Sequence, residues 1–344
     1  MRALDLFAGA GGAFLGLHQA GLDHVACVEW DVDACRTLQD ATGGALLPAH
    51  EAVGRRMPGL VRCMDVRRLE PPAAEVWWSS PPCQAWSTAG AKLGAQDERN
   101  GWPWVWEAYD RAAVKPRWLF VENVAGMTHH SKAGHGDPLT CAGCYLAEVV
   151  LPELRARFPH VVSKVLDAAD YGVPQHRRRL FIVASVEPYT WPEPTHGDGR
   201  QPWQTMGDAL GLHAIGGGSN PHGAGRAHER TYTDLTDRPC TTITCAQVGN
   251  AGPWVLHHGR NTDAHPTQER PTPSTEPAPA INGKGNQLLE RPADVRRLTV
   301  AECATLQGFP PRWPWAGTAT ERYRQVGNAV PPALARALAE QVVS

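Results

Sequence analysis

Ser79-Ser80-Pro81-Pro82-Cys83-Gln84 presents a lone thiol behind two prolines, directly after the apolar run Val76-Trp77-Trp78. Proline fixes φ and removes a backbone donor, so the pair stiffens the loop that carries the sulfur. A thiol attacks as its thiolate and needs a cation, a helix N-terminus or an acid/base partner close by. Without such a partner, Pro-Pro-Cys fits a buried cysteine in a turn equally well. Two other segments offer partners. Glu122-Asn123-Val124 ends a strand-like run over residues 118–121, and Gln175-His176-Arg177-Arg178-Arg179 precedes the β-type run Leu180-Phe181-Ile182-Val183. Side-chain alternation in an extended segment sends Arg177 and Arg179 to one side and Arg178 to the other. Open parallel sheets gather their ligands at the C-terminal strand ends, so Cys83 and Glu122 can meet on one edge.

The elements that must position these groups begin at the N-terminus. A short apolar run, Ala3-Leu4-Asp5-Leu6-Phe7, reads as a buried strand and is followed at once by Ala8-Gly9-Ala10-Gly11-Gly12 and a helical pattern through Gln19. Glycines between a first strand and its helix let a ligand approach the backbone, with the helix N-terminus facing it. A second run, residues 25–28, ends at Glu29, twenty positions after Gly9, where a carboxylate can take two ribose hydroxyls. Phe14 stands where G-x-G-x-x-G would have its third glycine, which argues against a nicotinamide cofactor; the glycine turn, the spacing and the acid together favour an adenosine-type ligand.

These segments resemble the ordered motifs of the cytosine-C5 DNA methyltransferase family, in that family's order and over nearly the whole chain. Residues 5–12, with Phe7, Gly9, Gly11 and Gly12, resemble its cofactor loop; Glu29-Trp30 resembles its ribose and adenine contact, and Asp65-Val66 its adenine-side acid. Pro81-Pro82-Cys83-Gln84 resembles its nucleophile loop and Glu122-Asn123-Val124 its second catalytic motif. Gln175, Arg177 and Arg179 fall on its Q-x-R-x-R element. Residues 325–331, with Asn328 and Val330, resemble the C-terminal motif that folds back to complete the cofactor site.

The resemblance implies a DNA (cytosine-5-)-methyltransferase that uses S-adenosylmethionine and releases S-adenosylhomocysteine. Cytosine C5 is too poor a nucleophile to take a methyl group until a thiolate, here Cys83, adds at C6. Glu122 is then expected at N3, Arg179 with Arg177 at O2, and Asn123 beside Glu122 or the base. The target base must leave the duplex to be reached. Residues 84–101 are small, polar and glycine-punctuated, matching the family segment that closes on DNA; Ser87, Lys92 and Gln175 are expected to touch substrate.

The expected fold is α/β: a Rossmann-like, doubly wound, mostly parallel sheet of the S-adenosylmethionine-dependent methyltransferase type, with a small irregular β-rich target-recognition domain. Strand and helix signals alternate through residue 186, the expected catalytic and cofactor-binding domain. Residues 187–285 turn to Pro, Gly, His and Thr, with short strand signals at Thr231-Tyr232-Thr233, residues 241–244 and Trp254-Val255-Leu256, and read as the recognition domain. There Arg200, Arg226, Arg230, His257, His258 and Arg260 are candidates for phosphates or base edges. Residues 286–344 are expected to return to the catalytic domain through a final helix over 333–342.

Composition bounds the function. No apolar segment approaches the ~18 residues of a membrane span and none opens the chain as a signal peptide, so a cytoplasmic protein with no membrane partner is expected. Nine scattered cysteines suit a reducing compartment rather than a disulfide framework. The net charge of −2 requires that affinity for double-stranded DNA come from a local basic cleft. A monomer is expected, with a cognate restriction endonuclease as candidate partner. A tRNA cytosine methyltransferase and a non-catalytic DNA-binding relative are the alternatives. The Cys-Phe-Thr tripeptide expected of the first is absent from residues 187–296, and motif decay expected of the second is not seen. One feature lies outside the family pattern: His130 and His135 precede Cys141-Ala142-Gly143-Cys144, ligand types and a knuckle spacing that suit a structural zinc.

Overall fold

The computed structural model describes residues 1–43, 60–82, 86, 94–130, 140–211 and 295–343, with short segments at 215–217, 233–234, 239–241 and 254–256. In chain order its elements are β1 (Arg2–Leu6), α1 (Gly12–Gln19), β2 (Asp23–Glu29), α2 (Val32–Gly43), β3 (Val61–Cys63), β4 (Val76–Ser79), α3 (Trp102–Arg111) and β5 (Trp118–Val124). There follow α4 (Ala142–Tyr145), α5 (Leu151–Arg155), β6 (His160–Asp167), β7 (Gln175–His176), β8 (Arg178–Ser185) and α6 (Met206–Leu210). Short strands β9 (Ile215–Gly217), β10 (Thr233–Asp234), β11 (Cys240–Thr241), β12 (Trp254–Leu256) and β13 (Val295–Arg297) lead to α7 (Val300–Leu306), α8 (Ala319–Asn328) and α9 (Pro332–Val343).

The main sheet has seven strands in the order β3-β2-β1-β4-β5-β8-β6. β1 to β5 are parallel, and β8 runs antiparallel to both β5 and β6. Parallel strands covered on both faces read as continuous apolar runs, which is why Val76-Trp77-Trp78 and residues 118–121 announce themselves in the sequence. Successive residues feed different cores: Trp77, Leu119 and Val121 pack with α3, whereas Trp78 and Phe120 pack with α9 and part of α1. β6 carries no comparable run, since much of its surface is only half covered, and its period could not be read.

The chain order reverses direction between β1 and β4, the switch point at which open sheets bind ligands. Around that crevice the two ends of the chain meet. A Cβ on Gly16 of α1 would lie 2.3 Å from the Pro332 carbonyl oxygen, so the helices α1 and α9 touch backbone to backbone. The final helix expected over 333–342 is therefore present and seated on the first. α7 begins with a reciprocal cap, in which Thr299 and Glu302 each bond the other's backbone N–H.

Beyond residue 211, β9, β10, β12 and β13 form an antiparallel sheet in the order β10-β9-β12-β13, and β11 pairs with β7. The expected strand at 254–256 is β12. Arg200 is described and lies 3.7 Å from Glu193, while Arg226, Arg230, His257, His258 and Arg260 fall outside the described residues.

Candidate active site

Five strand ends supply the walls of a cleft of about 240 Å³ at the switch point. β1 delivers the glycine loop. Phe7 takes φ 60°, an unusual conformation for a side chain, and Gly9 and Gly11 follow at 54° and 91°. Gly9 and Gly12 line the cleft; Gly11, expected with them, does not. A Cβ on Gly11 would lie 2.5 Å from Leu38 Cδ1, so this glycine turns the chain into α1 rather than facing a ligand. Gly12 is required by packing, since a Cβ there would sit 2.1 Å from the Val330 carbonyl oxygen.

β2 delivers Glu29. Its Oε2 accepts from Gly9 N (2.8 Å), and its Oε1 from Trp30 N (2.9 Å) and Asp31 N (2.8 Å). Burial pushes its carboxyl above the usual range, and the three backbone donors pull it back. Oε2 keeps acceptor capacity for a ribose hydroxyl. Trp30 stands beside it, 62% exposed, an indole face on the rim. Asp65 and Val66 follow β3 and also line the cleft; Arg67 donates to both Asp65 oxygens and holds that carboxyl below its usual range.

β4 ends at Ser79 and leads to Ser80, Pro81 and Pro82 on the cleft wall. Cys83, Ser87 and Lys92 lie outside the described residues, as does His135. β5 delivers Glu122 and Asn123. The register of β5 against β8 opposes Val124 to Arg179 and Glu122 to Phe181, which makes Glu122 and Arg179 diagonal neighbours on one face. Arg179 Nε accordingly lies 3.1 Å from Glu122 Oε1, with both side chains largely shielded from water. The Asn123 side chain bonds elsewhere: its Nδ2 donates to the Pro81 carbonyl (3.1 Å) and its Oδ1 accepts from Val124 N (3.0 Å). It fixes the loop that precedes Cys83.

Two further assignments change with the geometry. Arg177 lies on the same side as Arg179, but it is buried to 1% and donates through Nη2 to the carbonyls of Gly327 and Ala329, both at 2.9 Å. Its head group ties the C-terminal motif to the sheet, and the residue lines the cleft together with Glu122 and Arg179. Gln175, expected at the substrate, is fully buried away from the cleft and donates to the Leu306 carbonyl and to Gln307 Oε1. Alternation predicted the side correctly but carried no information about which partner waits there.

Several contributors carry no sequence signal of their own. Trp104 of α3 stacks on Phe7 at 6.3 Å and lines the cleft. Trp313 Nε1 donates to the Ala10 carbonyl, Arg324 pairs with Asp31 at 2.7 Å, and Thr37 donates to Gln325 at 2.7 Å. Together they clamp the C-terminal return onto the glycine loop, and Asn328 and Val330 close the floor. Gly101 leaves room for the prolines, since a Cβ there would lie 2.5 Å from Pro82 Cδ. Away from the cleft, His130 Nδ1 lies 3.4 Å from Cys144 Sγ and 3.8 Å from Cys141 Sγ.

The cleft fits an adenosine-bearing sulfonium cofactor: an open backbone at Gly9, a ribose acceptor, an indole and an acid-capped turn follow one another along its walls. Comparison with known proteins agrees. Residues 1–344 match the family model described as C-5 cytosine-specific DNA methylase. The Type II methyltransferase M.NgoMIV of Neisseria gonorrhoeae is 31% identical over 99% of this chain and 96% of its own length. M1.HphI of Haemophilus parahaemolyticus, another Type II methyltransferase, is 29% identical over 99% of this chain and 86% of its own. A crystal structure of the S. pombe Dnmt2 methyltransferase shares the fold with a TM-score of 0.61 at 15% identity, covering 100% of this chain and 97% of that one. The chain thus belongs to the C-5 cytosine-specific DNA methylase family, and its activity is methyl transfer to C5 of cytosine in DNA.

Proposed function

We propose that Cys83 adds its thiolate to C6 of a cytosine rotated out of duplex DNA, so that a C–S bond forms and an electron pair moves over the ring toward N3 and O2. Glu122 holds a proton or strong hydrogen bond at N3, and Arg179 donates at O2, where the charge gathers. The charge so stabilised makes C5 nucleophilic, and C5 would bond the methyl group that S-adenosylmethionine supplies as its S–CH3 bond breaks to give S-adenosylhomocysteine. A base then takes the C5 proton, the C6–S bond breaks, and the electron pair returns to the sulfur. Asn123 and Arg177 are positioning residues, one for the loop before the nucleophile and one for the C-terminal motif. What supports this assignment most is the Glu122–Arg179 pair at 3.1 Å on the wall shared with Pro81 and the glycine loop.

Residues 1–186 and 286–344 form the catalytic unit in this proposal and 187–285 read the DNA. The chain acts inside the cell, as a monomer, with a restriction endonuclease of matching specificity as its partner in a restriction-modification setting. Among the described residues no helix is long and apolar enough to cross a membrane. A structural zinc on Cys141, Cys144 and His130, with His135 as the fourth candidate ligand, completes the cofactors.

Incubation with methyl-labelled S-adenosylmethionine and either duplex DNA or tRNA tests the substrate and the nucleophile together. Label is expected on DNA only, with Cys83→Ala inactive. Label on tRNA alone, or transfer that survives Cys83→Ala, refutes the assignment.

A further inference from the structure

We infer that zinc held by His130, Cys141 and Cys144 anchors the segment that carries the nucleophile, an inference that rests on the catalytic assignment of Cys83 and Glu122 above. The three donor atoms lie within 4.8 Å of one another. Zinc–sulfur bonds of about 2.3 Å and zinc–nitrogen bonds of about 2.0–2.1 Å, set tetrahedrally, give an N···S edge of about 3.6 Å. The observed 3.4 and 3.8 Å bracket that edge. Both thiols are buried, at 3% and 0% exposure, so their chemistry is local rather than open to solvent.

The backbone between the thiols is fitted to the imidazole. Gly143 N donates to the His129 carbonyl (3.0 Å), and a Cβ on Gly143 would lie 3.0 Å from both His130 Cε1 and Nδ1. A side chain at 143 would push the ring away from the sulfurs. Small residues at this place in the knuckle are thus a condition for three ligands to converge.

On one side the cluster continues into the catalytic strand, since His130 follows Glu122-Asn123-Val124 through the single turn Ala125–Thr128. On the other, Cys144 precedes Tyr145, whose ring stacks on Trp86 at 4.5 Å with the planes 25° apart. Asn100 Nδ2 donates to the Tyr145 hydroxyl (3.0 Å), and Trp86 Nε1 lies 3.5 Å from Asn100 Oδ1. One ion would therefore fix the distance between the strand of Glu122 and the Tyr145–Trp86 stack, and Trp86 is three residues along the chain from Cys83. The ion would pin the first turn of a helical stretch that continues through Leu146–Val150 into α5, a turn that starts with no side-chain cap.

The experiment uses the full chain without a polyhistidine tag. Metal analysis is expected to give about one zinc per chain, lost in C144S, and cobalt substitution to give thiolate-to-cobalt absorption. Removing zinc with a chelator is expected to speed hydrogen exchange in the peptide containing Trp86 by several-fold. Cofactor binding should remain, methyl transfer should fall about tenfold or more, and added zinc should restore both exchange protection and transfer. Tyr145→Ala is expected to keep zinc and reproduce the faster exchange. Absence of zinc overturns the site. Zinc whose removal leaves exchange at Trp86 unchanged overturns the anchor. A chain that transfers no methyl group to any DNA refutes the catalytic assignment alone, since metal content and exchange are read without activity.

Discussion

Glu122→Gln is expected to lower kcat by about 10²- to 10³-fold while leaving cofactor affinity within about twofold. Glutamine keeps the length of the side chain and an oxygen toward Arg179 Nε, now 3.1 Å from Glu122 Oε1, but its amide can only donate a hydrogen bond and has no acidic proton to transfer to N3. Loss of a positioned general acid typically costs factors of about this size. In the proposed assignment the cofactor lies along the glycine loop, Glu29 and Asp65, whose hydrogen bonds go to Gly9 and Arg67 rather than to Glu122, so its binding should be spared. Single-turnover methyl transfer together with calorimetric titration of S-adenosylhomocysteine separates the two. A kcat within about threefold of the parent would remove Glu122 from the chemistry.

Gly12→Ala should damage the cofactor site through backbone rather than chemistry. The added carbon would lie 2.1 Å from the Val330 carbonyl oxygen and 3.2 Å from Val330 N, and neither neighbour is the movable end of a side chain. Gly12 opens α1, Val330 precedes α9, and both line the cleft, so any relief separates the two chain ends that enclose it. Overpacking of this kind costs about 1–3 kcal/mol or more. The expected outcome is cofactor affinity lowered on the order of tenfold, with a lower melting temperature. Gly126→Ala, where nothing lies within 4 Å of the added carbon, serves as the control and should leave the melting temperature within a degree or two. Equal effects in the two variants would show that the Gly12–Val330 contact is not what closes the cleft.

What could be read from the sequence follows from which forces act locally. Buried parallel strands announce themselves as apolar runs, and glycine and proline mark loops through their own covalent geometry, so β1, β4, β5 and the loops after them were legible. Phe7, Glu29, Trp30 and Glu122 then follow as the residues at strand ends. Partner choice was not legible. Arg177 and Arg179 alternate to the same side, yet one ends on two backbone carbonyls contributed by residues 150 and 152 positions away and the other on a carboxylate. Gln175 is spent on α7, and Asn123 on Pro81. Trp104, Trp313 and Gly101 matter only because of tertiary approach, which no spacing records. β6 escaped because its half-exposed faces give neither an apolar run nor a clean alternation.

The central claim is that one sulfur adds reversibly to the target ring. Duplex DNA in which the target cytosine carries fluorine at C5 blocks the last elimination, because fluorine does not leave as the proton does. Incubated with the protein and S-adenosylmethionine, such a duplex is expected to give a denaturation-resistant protein–DNA adduct. Mass spectrometry should map it to the peptide containing Cys83, and Cys83→Ala should abolish it. A duplex that is methylated when unfluorinated yet forms no adduct when fluorinated, or an adduct mapped to another residue, would contradict the mechanism.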